Sequence, residues 1–188
     1  MMDVHARIVL FLCLFAGAVL IFAVMTKRNA PRTPRREHTI LVLDMDETMI
    51  HSPPPHDRVI ERPFVREFLN EMSSAFDELV VFTAATRDYA SPILDRLDPT
   101  RTLFSRRFYR DSCSVDPRTG MFAKDLRILG NSLERTWILD NTPSAYALQP
   151  WCGIPILSFE GDPNDRELVK MAPFILMHTG VAASAEAA

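Results

Sequence analysis

Three short runs of β-forming apolar residues, each closed by a polar residue, constrain this chain most. They are Thr39-Ile40-Leu41-Val42-Leu43 before Asp44, Leu79 to Phe82 before Thr83, and Thr136 to Leu139 before Asp140. A strand that is apolar on both faces has no solvent side, so it belongs inside a parallel sheet covered above and below. Between the runs the spacing becomes helical. Phe64, Phe68, Leu69 and Met72 mark a helix over Pro63 to Phe76. Asp88 to Leu97 reads as a second helix, stopped by Asp98-Pro99, and Arg166 to Met177 as a last one. Ile154 to Leu157 reads as a fourth buried strand, and Leu126 to Leu129 as a short helix ended by Gly130. The aromatic stretch 103–124, with Pro117-Arg118-Thr119-Gly120 as a turn, predicts a β-hairpin. Strands alternating with helices predict an α/β domain: a doubly wound, mostly parallel sheet with helices on both faces. In such folds ligands sit outside the carboxyl ends of the strands, which places Asp44, Thr83, Asp140 and Asn141 around one crevice.

The amino terminus has a different character. Ile8 to Met25 contains no charged side chain, and as a helix its 18 residues would be about 27 Å long. That length suits a hydrocarbon core, so a single transmembrane anchor over residues 1–26 is expected. A cleaved signal peptide is the rival, but its apolar region is shorter and ends at small residues. Residues 1–36 hold six basic groups against one acid. Five of the six follow the apolar run, so the positive-inside rule puts the following domain in the cytosol. Residues 27–37 then form a basic juxtamembrane linker, 38–178 the domain, and 179–188 a flexible tail. The other 152 residues carry 15 basic and 23 acidic groups, a net of −8. Such an acidic body predicts no direct nucleic-acid binding. Cys13, Cys113 and Cys152 are too few and too scattered for a disulfide framework or a zinc site.

The chemistry gathers at the strand ends. Strand one delivers Asp44-Met45-Asp46-Glu47-Thr48, two carboxylates two residues apart, and strand three delivers Asp140-Asn141-Thr142-Pro143. A calcium loop of the EF-hand type would need Gly and Glu where Met49 and Pro55 stand. Carboxylates with an amide suit a hard, oxygen-ligated cation, and magnesium fits because it takes one or two carboxylates and leaves its other positions to water and phosphate.

LVLDMDETMIHS resembles the first motif of the haloacid dehalogenase superfamily. The form is that of the phosphatases acting on the carboxyl-terminal domain of RNA polymerase II, including the small polymerase-tail phosphatases and the nuclear-envelope phosphatases of the Dullard type. The likeness continues through RPFVREFL (62–69), ELVVFTAATRDYASPILDRLDP (78–99), FYRDSC (108–113), KDLRILG (124–130) and ILDNTPSAYALQP (138–150). It implies an aspartyl-phosphate mechanism. Asp44 would be the nucleophile and Asp46 the general acid, then base. Thr48 would support the loop. Thr83 and Ala84 would hold the phosphoryl oxygens, with Lys124 neutralising the phosphate and Arg110 as a weaker candidate contact. Asp44, the Asp46 carbonyl, Asp140 and Asn141 would hold Mg²⁺. Phe64 stands where relatives usually have glycine. Residues 51–63 and the span from Thr83 to Asp140 leave no room for a cap domain. An open site predicts a phosphorylated protein or peptide, carrying phosphoserine or phosphothreonine, as substrate.

The resemblance also offers an alternative, a catalytically idle binding module of the same fold like the mitochondrial import receptor. The presence of Asp44, Asp46, Lys124 and Asp140 together favours the enzyme. For an anchored enzyme, the endoplasmic reticulum and nuclear envelope are the candidate membranes. The sequence names neither a physiological substrate nor a regulatory subunit.

Overall fold

In the computed structural model, residues 38–55, 58–117, 119–130 and 132–181 are described. The expected anchor over 8–25, the linker and the tail beyond 181 lie outside them. No helix among the described residues is long and apolar enough to cross a membrane.

The three apolar runs become β1 (Ile40–Leu43), β4 (Glu78–Phe82) and β8 (Thr136–Asp140). With β5 (Phe104–Phe108) and β9 (Gly153–Pro155) they form one parallel five-stranded sheet, ordered β5-β4-β1-β8-β9. From β1 the chain builds outward through β4 and β5, then returns to build the other side through β8 and β9. The reversal falls between β1 and β8, and crevices open at such a switch point.

Three helices pack on the sheet: α1 (Val65–Ala75), α2 (Arg87–Leu97) and α3 (Glu167–Thr179). On α1, Val65, Phe68, Leu69, Met72 and Ala75 are buried, one stripe at three- and four-residue spacing. The inward residues of all three helices join one core with Leu41, Leu43, Leu79, Val81 and Leu139. The opposite face, bearing Ile40, Val42, Val80, Phe82 and Ile138, packs on Leu126, Leu129, Tyr146 and Cys152 instead. The expectation of helices on both faces is therefore corrected. The second face is covered by 3-10 turns at Leu126–Leu129, Pro143–Tyr146 and Pro150–Cys152. Two of these turns start at proline, whose fixed φ suits a first helical position, and left-handed Gly130 ends the third.

Two further expectations change. Residues 103–124 are not one hairpin. Phe104–Phe108 forms the edge strand β5, parallel to β4. Only β6 (Ser114–Val115) and β7 (Phe122–Ala123) pair as a ribbon. The polar centre Ser105-Arg106-Arg107 hid β5, since an edge strand needs little apolar surface. The fourth strand is β9, displaced from the predicted Ile154 to Leu157. Leu157 is 69% exposed because β9 lies at the other edge. A second ribbon, β2 (Ile50–His51) with β3 (Ile60–Glu61), was not foreseen.

Phe64 has φ 65°, the left-handed region that glycine enters freely. The position therefore demands a conformation that glycine would adopt without strain. Phe64 adopts it with its ring under the Arg166 guanidinium, 5.0 Å away.

Candidate active site

Asp44 leaves β1 with its N–H bonded to the Leu139 carbonyl at 3.0 Å, which carries the β1–β8 pairing one residue past the strand. The chain then closes on itself. The Met45 carbonyl accepts from the N–H groups of Met49 (2.9 Å) and Ile50 (3.1 Å), and Glu47 takes a left-handed φ of 59°. This tight loop turns Asp46 back over the strand ends. Two distant residues fasten it. The Phe159 N–H donates to the Glu47 carbonyl at 2.7 Å, and the buried Arg62 donates Nη1–H to the Thr48 carbonyl at 3.1 Å.

From β4, Thr83 donates its N–H to the Phe108 carbonyl, and its Oγ1 accepts from the Ala85 N–H at 3.0 Å. Thr83 Oγ1 also lies 3.4 Å from Asp46 Oδ2. From β8, Asp140 accepts the Thr142 N–H at 2.8 Å on Oδ1. Lys124 follows β7, held by its N–H on the Ala145 carbonyl. Its Nζ donates to Asp140 Oδ2 at 2.7 Å and to Asp44 Oδ1. Thus one ammonium bridges the two carboxylates that flank the switch point, 80 and 16 residues away in sequence.

These groups surround an open cavity of about 760 Å³. Of the nine residues singled out in the sequence, Asp44, Asp46, Thr83, Ala84, Arg110, Lys124, Asp140 and Asn141 line it. Thr48 does not. It is fully buried beneath, donating to Asn141 Oδ1 at 3.3 Å, and so joins the two carboxylate-bearing loops. Asn141 in turn donates Nδ2–H to Ser158 at 3.0 Å. Arg110 gives its Nε–H to the Ala84 carbonyl at 2.7 Å, and its guanidinium lies 5.3 Å from the Phe122 ring centroid. Sequence reasoning missed Tyr89, whose hydroxyl donates to Asp46 Oδ1 at 3.0 Å, and the apolar rim residues Met121 and Phe122. The only available signal for Tyr89 was its place one turn into the helix after Thr83; nothing in its chemistry singled it out.

The electrostatics are lopsided: Asp44, Asp46, Glu47 and Asp140 line the cavity against Lys124 and Arg110. Burial, then the Asp44 charge, pushes Asp140 up to about 6. Burial and Asp44 likewise raise Asp46, against the hydrogen bonds of Tyr89 and Thr83. Burial alone would depress the Lys124 ammonium, but Asp44 and Asp140 outweigh it and hold it above its ordinary value. Like charges at this density call for further positive charge. Among the described residues no three His, Cys, Asp or Glu side chains converge as a ready-made metal cage. The donor set of carboxylate, amide and carbonyl oxygens fits a magnesium ion that keeps several waters. Cys113 and Cys152 are free thiols, and neither lines the cavity.

Comparison with known proteins shows the family of the chain. The NLI interacting factor-like phosphatase family matches residues 39–183, and the chain belongs to that family. It is 41% identical over 153 residues to a probable C-terminal domain small phosphatase of Dictyostelium discoideum, covering 72% of this chain and 49% of that protein. It is 37% identical over 176 residues to CTD nuclear envelope phosphatase 1B of Danio rerio, covering 79% of this chain and 69% of that one. The chain therefore spans about half the length of the first relative and about two-thirds of the second. The fold matches the fission yeast RNA polymerase II CTD phosphatase Fcp1 with a TM-score of 0.54 at 20% identity, covering 82% of this chain and 54% of that one.

Proposed function

We propose that this chain is a magnesium-dependent protein serine/threonine phosphatase that works through an aspartyl-phosphate on Asp44. One observation carries the reading: Asp44, Lys124 and Asp140 meet in a buried cluster at the strand switch point, with Asp46 turned over the same open cavity.

In the first step an Asp44 carboxylate oxygen attacks phosphorus. The phosphorus–oxygen bond to the serine or threonine breaks, and Asp46 gives its proton to the departing alkoxide. Its raised proton affinity suits it to hold that proton until then. In the second step the now anionic Asp46 takes a proton from water as the water attacks phosphorus, freeing Asp44 and phosphate. Splitting one displacement into two is the gain of covalent catalysis. Lys124 stabilises the charge on the phosphoryl oxygens, and Thr83 with the backbone at Ala84 supplies hydrogen bonds to them. Asp44, Asp140, Asn141 and the Asp46 carbonyl are the residues that would hold magnesium, which when bound neutralises charge on the transferring group. Thr48 keeps Asn141 and the Asp44 loop in register.

The connections above the cavity carry only two-residue ribbons, β2–β3 and β6–β7, and an entrance so lightly covered suits a protein segment. Residues 8–25 supply the membrane anchor in this reading, with the domain on the cytosolic side. The endoplasmic reticulum or nuclear envelope is the membrane in this reading; the Danio rerio relative carries the nuclear envelope in its name.

The decisive assay is turnover of an aryl phosphate and of a phosphoserine peptide by the full chain, with magnesium and with a chelator, beside Asp44→Asn. Magnesium-dependent turnover that Asp44→Asn abolishes is expected. No turnover from folded, magnesium-supplied protein would leave a binding module. Protease protection of the domain in sealed vesicles would overturn the cytosolic orientation.

A further inference from the structure

A second cleft lies along the open edge of the sheet, between β5 and α2. Its volume is about 430 Å³, and Arg87, Arg101, Arg106 and Arg107 line it. No acidic side chain does so, although the body carries a net of −8.

The arginines reach the cleft from both sides of β5. Arg106 turns to Glu78 (2.8 Å) and the Leu129 carbonyl on one face of the sheet, and Arg107 to Asp95 (2.6 Å) on the other. The internal counter-charges are shared rather than dedicated. Asp95 serves both Arg107 and Arg101. Arg107 Nη2 is buried with no hydrogen bond, 3.5 Å from an Asp98 oxygen that already accepts the Phe104 N–H. Arg87 meets Asp111 only at 3.9 Å, and both are mostly exposed. Exposed pairs of this kind are worth little and exchange partners readily.

β5 has β4 on one side and, among the described residues, no strand on the other. An open edge accepts an extended chain through its main-chain groups, and the flanking side chains choose which chain. Charge on an edge also blocks pairing with copies of itself. Arginines alone do both, since they repel a like edge and favour an acidic one. The cleft adjoins the catalytic cavity. Thr86 and Arg110 line the cavity, their neighbours Arg87 and Tyr109 line the cleft, and the Arg87 guanidinium sits 4.3 Å from the Tyr109 ring centroid.

We propose that the β5–α2 cleft is a docking site for an extended acidic stretch of the phosphoprotein substrate, laid along the open edge of β5 between the four arginines. The choice of substrate as occupant rests on the phosphatase reading; the acidic-peptide site does not.

The experiment has two arms. In the first, fluorescence anisotropy follows an unphosphorylated labelled Glu-rich peptide on the full chain, with a Gln-rich peptide as control. Arg87 and Arg101 are 62% and 71% exposed, so Arg87→Gln with Arg101→Gln leaves the fold intact. Salt-sensitive binding of the Glu-rich peptide, about tenfold weaker in the double variant, is expected. Equal binding of the two peptides, or no loss in the variant, overturns the site whether or not the chain is a phosphatase. In the second arm, two phosphoserine peptides differ only in a Glu-rich or Gln-rich flank. A lower KM for the Glu-rich flank that the double variant erases, with aryl-phosphate turnover unchanged, is expected. Binding in the first arm with equal KM in the second overturns the substrate as occupant.

Discussion

The Tyr89 hydroxyl donates a 3.0 Å hydrogen bond to Asp46 Oδ1, joining the first turn of α2 to the loop after β1 across 43 residues. Among the described residues Asp46 has one other side-chain donor at hydrogen-bond distance, Thr83 Oγ1 at 3.4 Å. Tyr89 is therefore the main restraint on where the proposed acid–base group points. Tyr89→Phe removes that bond and leaves the ring's packing. Bonds to charged groups contribute about 1.5–3 kcal/mol, so kcat on a phosphopeptide should fall by about one to two powers of ten. Thermal stability should change little. An unchanged kcat would show that Asp46 is positioned by its own loop.

Lys124 is the only cation in contact with Asp44 and Asp140 among the described residues. Lys124→Ala should lower kcat by about 10²–10³, the size of losing one preorganised donor to a developing charge. Lys124→Arg should not rescue it, because the 2% exposed ammonium fits between two carboxylates as a compact charge and the planar guanidinium fork does not share that geometry. Steady-state kinetics on both variants, with circular dichroism to confirm folding, checks this.

Arg62 buries its whole side chain, and its Nε and Nη2 grip the two oxygens of Asp165 at 2.9 Å each, 103 residues away. Its third bond reaches the Thr48 carbonyl, and its guanidinium lies 5.3 Å from the Phe159 ring centroid. Breaking a buried pair by removing one partner costs about 3–5 kcal/mol. Arg62→Ala should therefore lower the urea midpoint sharply and loosen the catalytic loop, reducing kcat as well. Arg62→Met with Asp165→Leu should recover much of the stability but not the loop bond. Recovery of both would mean that the bond to Thr48 is unimportant.

Acid should unfold the domain through carboxylates that the fold holds ionised. Burial alone would raise Asp165, but the Arg62 hydrogen bonds, the Glu167 N–H and the Arg62 charge outweigh it. Burial would also raise Asp98, which the N–H groups of Phe104, Leu103 and Thr102 pull below its ordinary value. A carboxyl whose folded pKa is depressed stabilises the fold above its unfolded value, about 3.9, and loses that contribution as pH falls through the folded value. The contribution of these two carboxylates to the urea midpoint should thus be complete above about pH 5 and lost as pH falls below about 4, while Asp140, raised to about 6, acts with the opposite sign between about pH 4 and 6. Asp165→Asn should be less stable at neutral pH and approach the parent at the acid end. Parallel curves for the two proteins would exclude this linkage.

Much of the site was legible before the fold. Asp44, Thr83 and Asp140 follow apolar runs too short and too β-branched to be anything but buried strands, and a strand's end is where its polar residues can be useful. Local sequence also marked the three helices; the stripe read for the first matches the buried Phe68, Leu69 and Met72 of α1, while Phe64 precedes the helix and is 38% exposed. The family likeness supplied Lys124, which no spacing rule would have picked out.

The rest depended on contacts between distant segments. The order of the strands put Asp44 and Asp140 on either side of the switch point, and only then could one lysine touch both. β5 is a strand because β4 offers it an edge, although two of its five residues are arginine. All three helices gather on one face, and the other is covered by 3-10 turns, Leu126–Leu129 before β8 and Pro143–Tyr146 and Pro150–Cys152 after it. Tyr89 and Arg62 acquire their roles from partners 43 and 103 residues away. Periodicity records which side of an element is apolar, so it decides burial locally. Which groups meet is decided by sheet order and register, and those are properties of the whole packed chain.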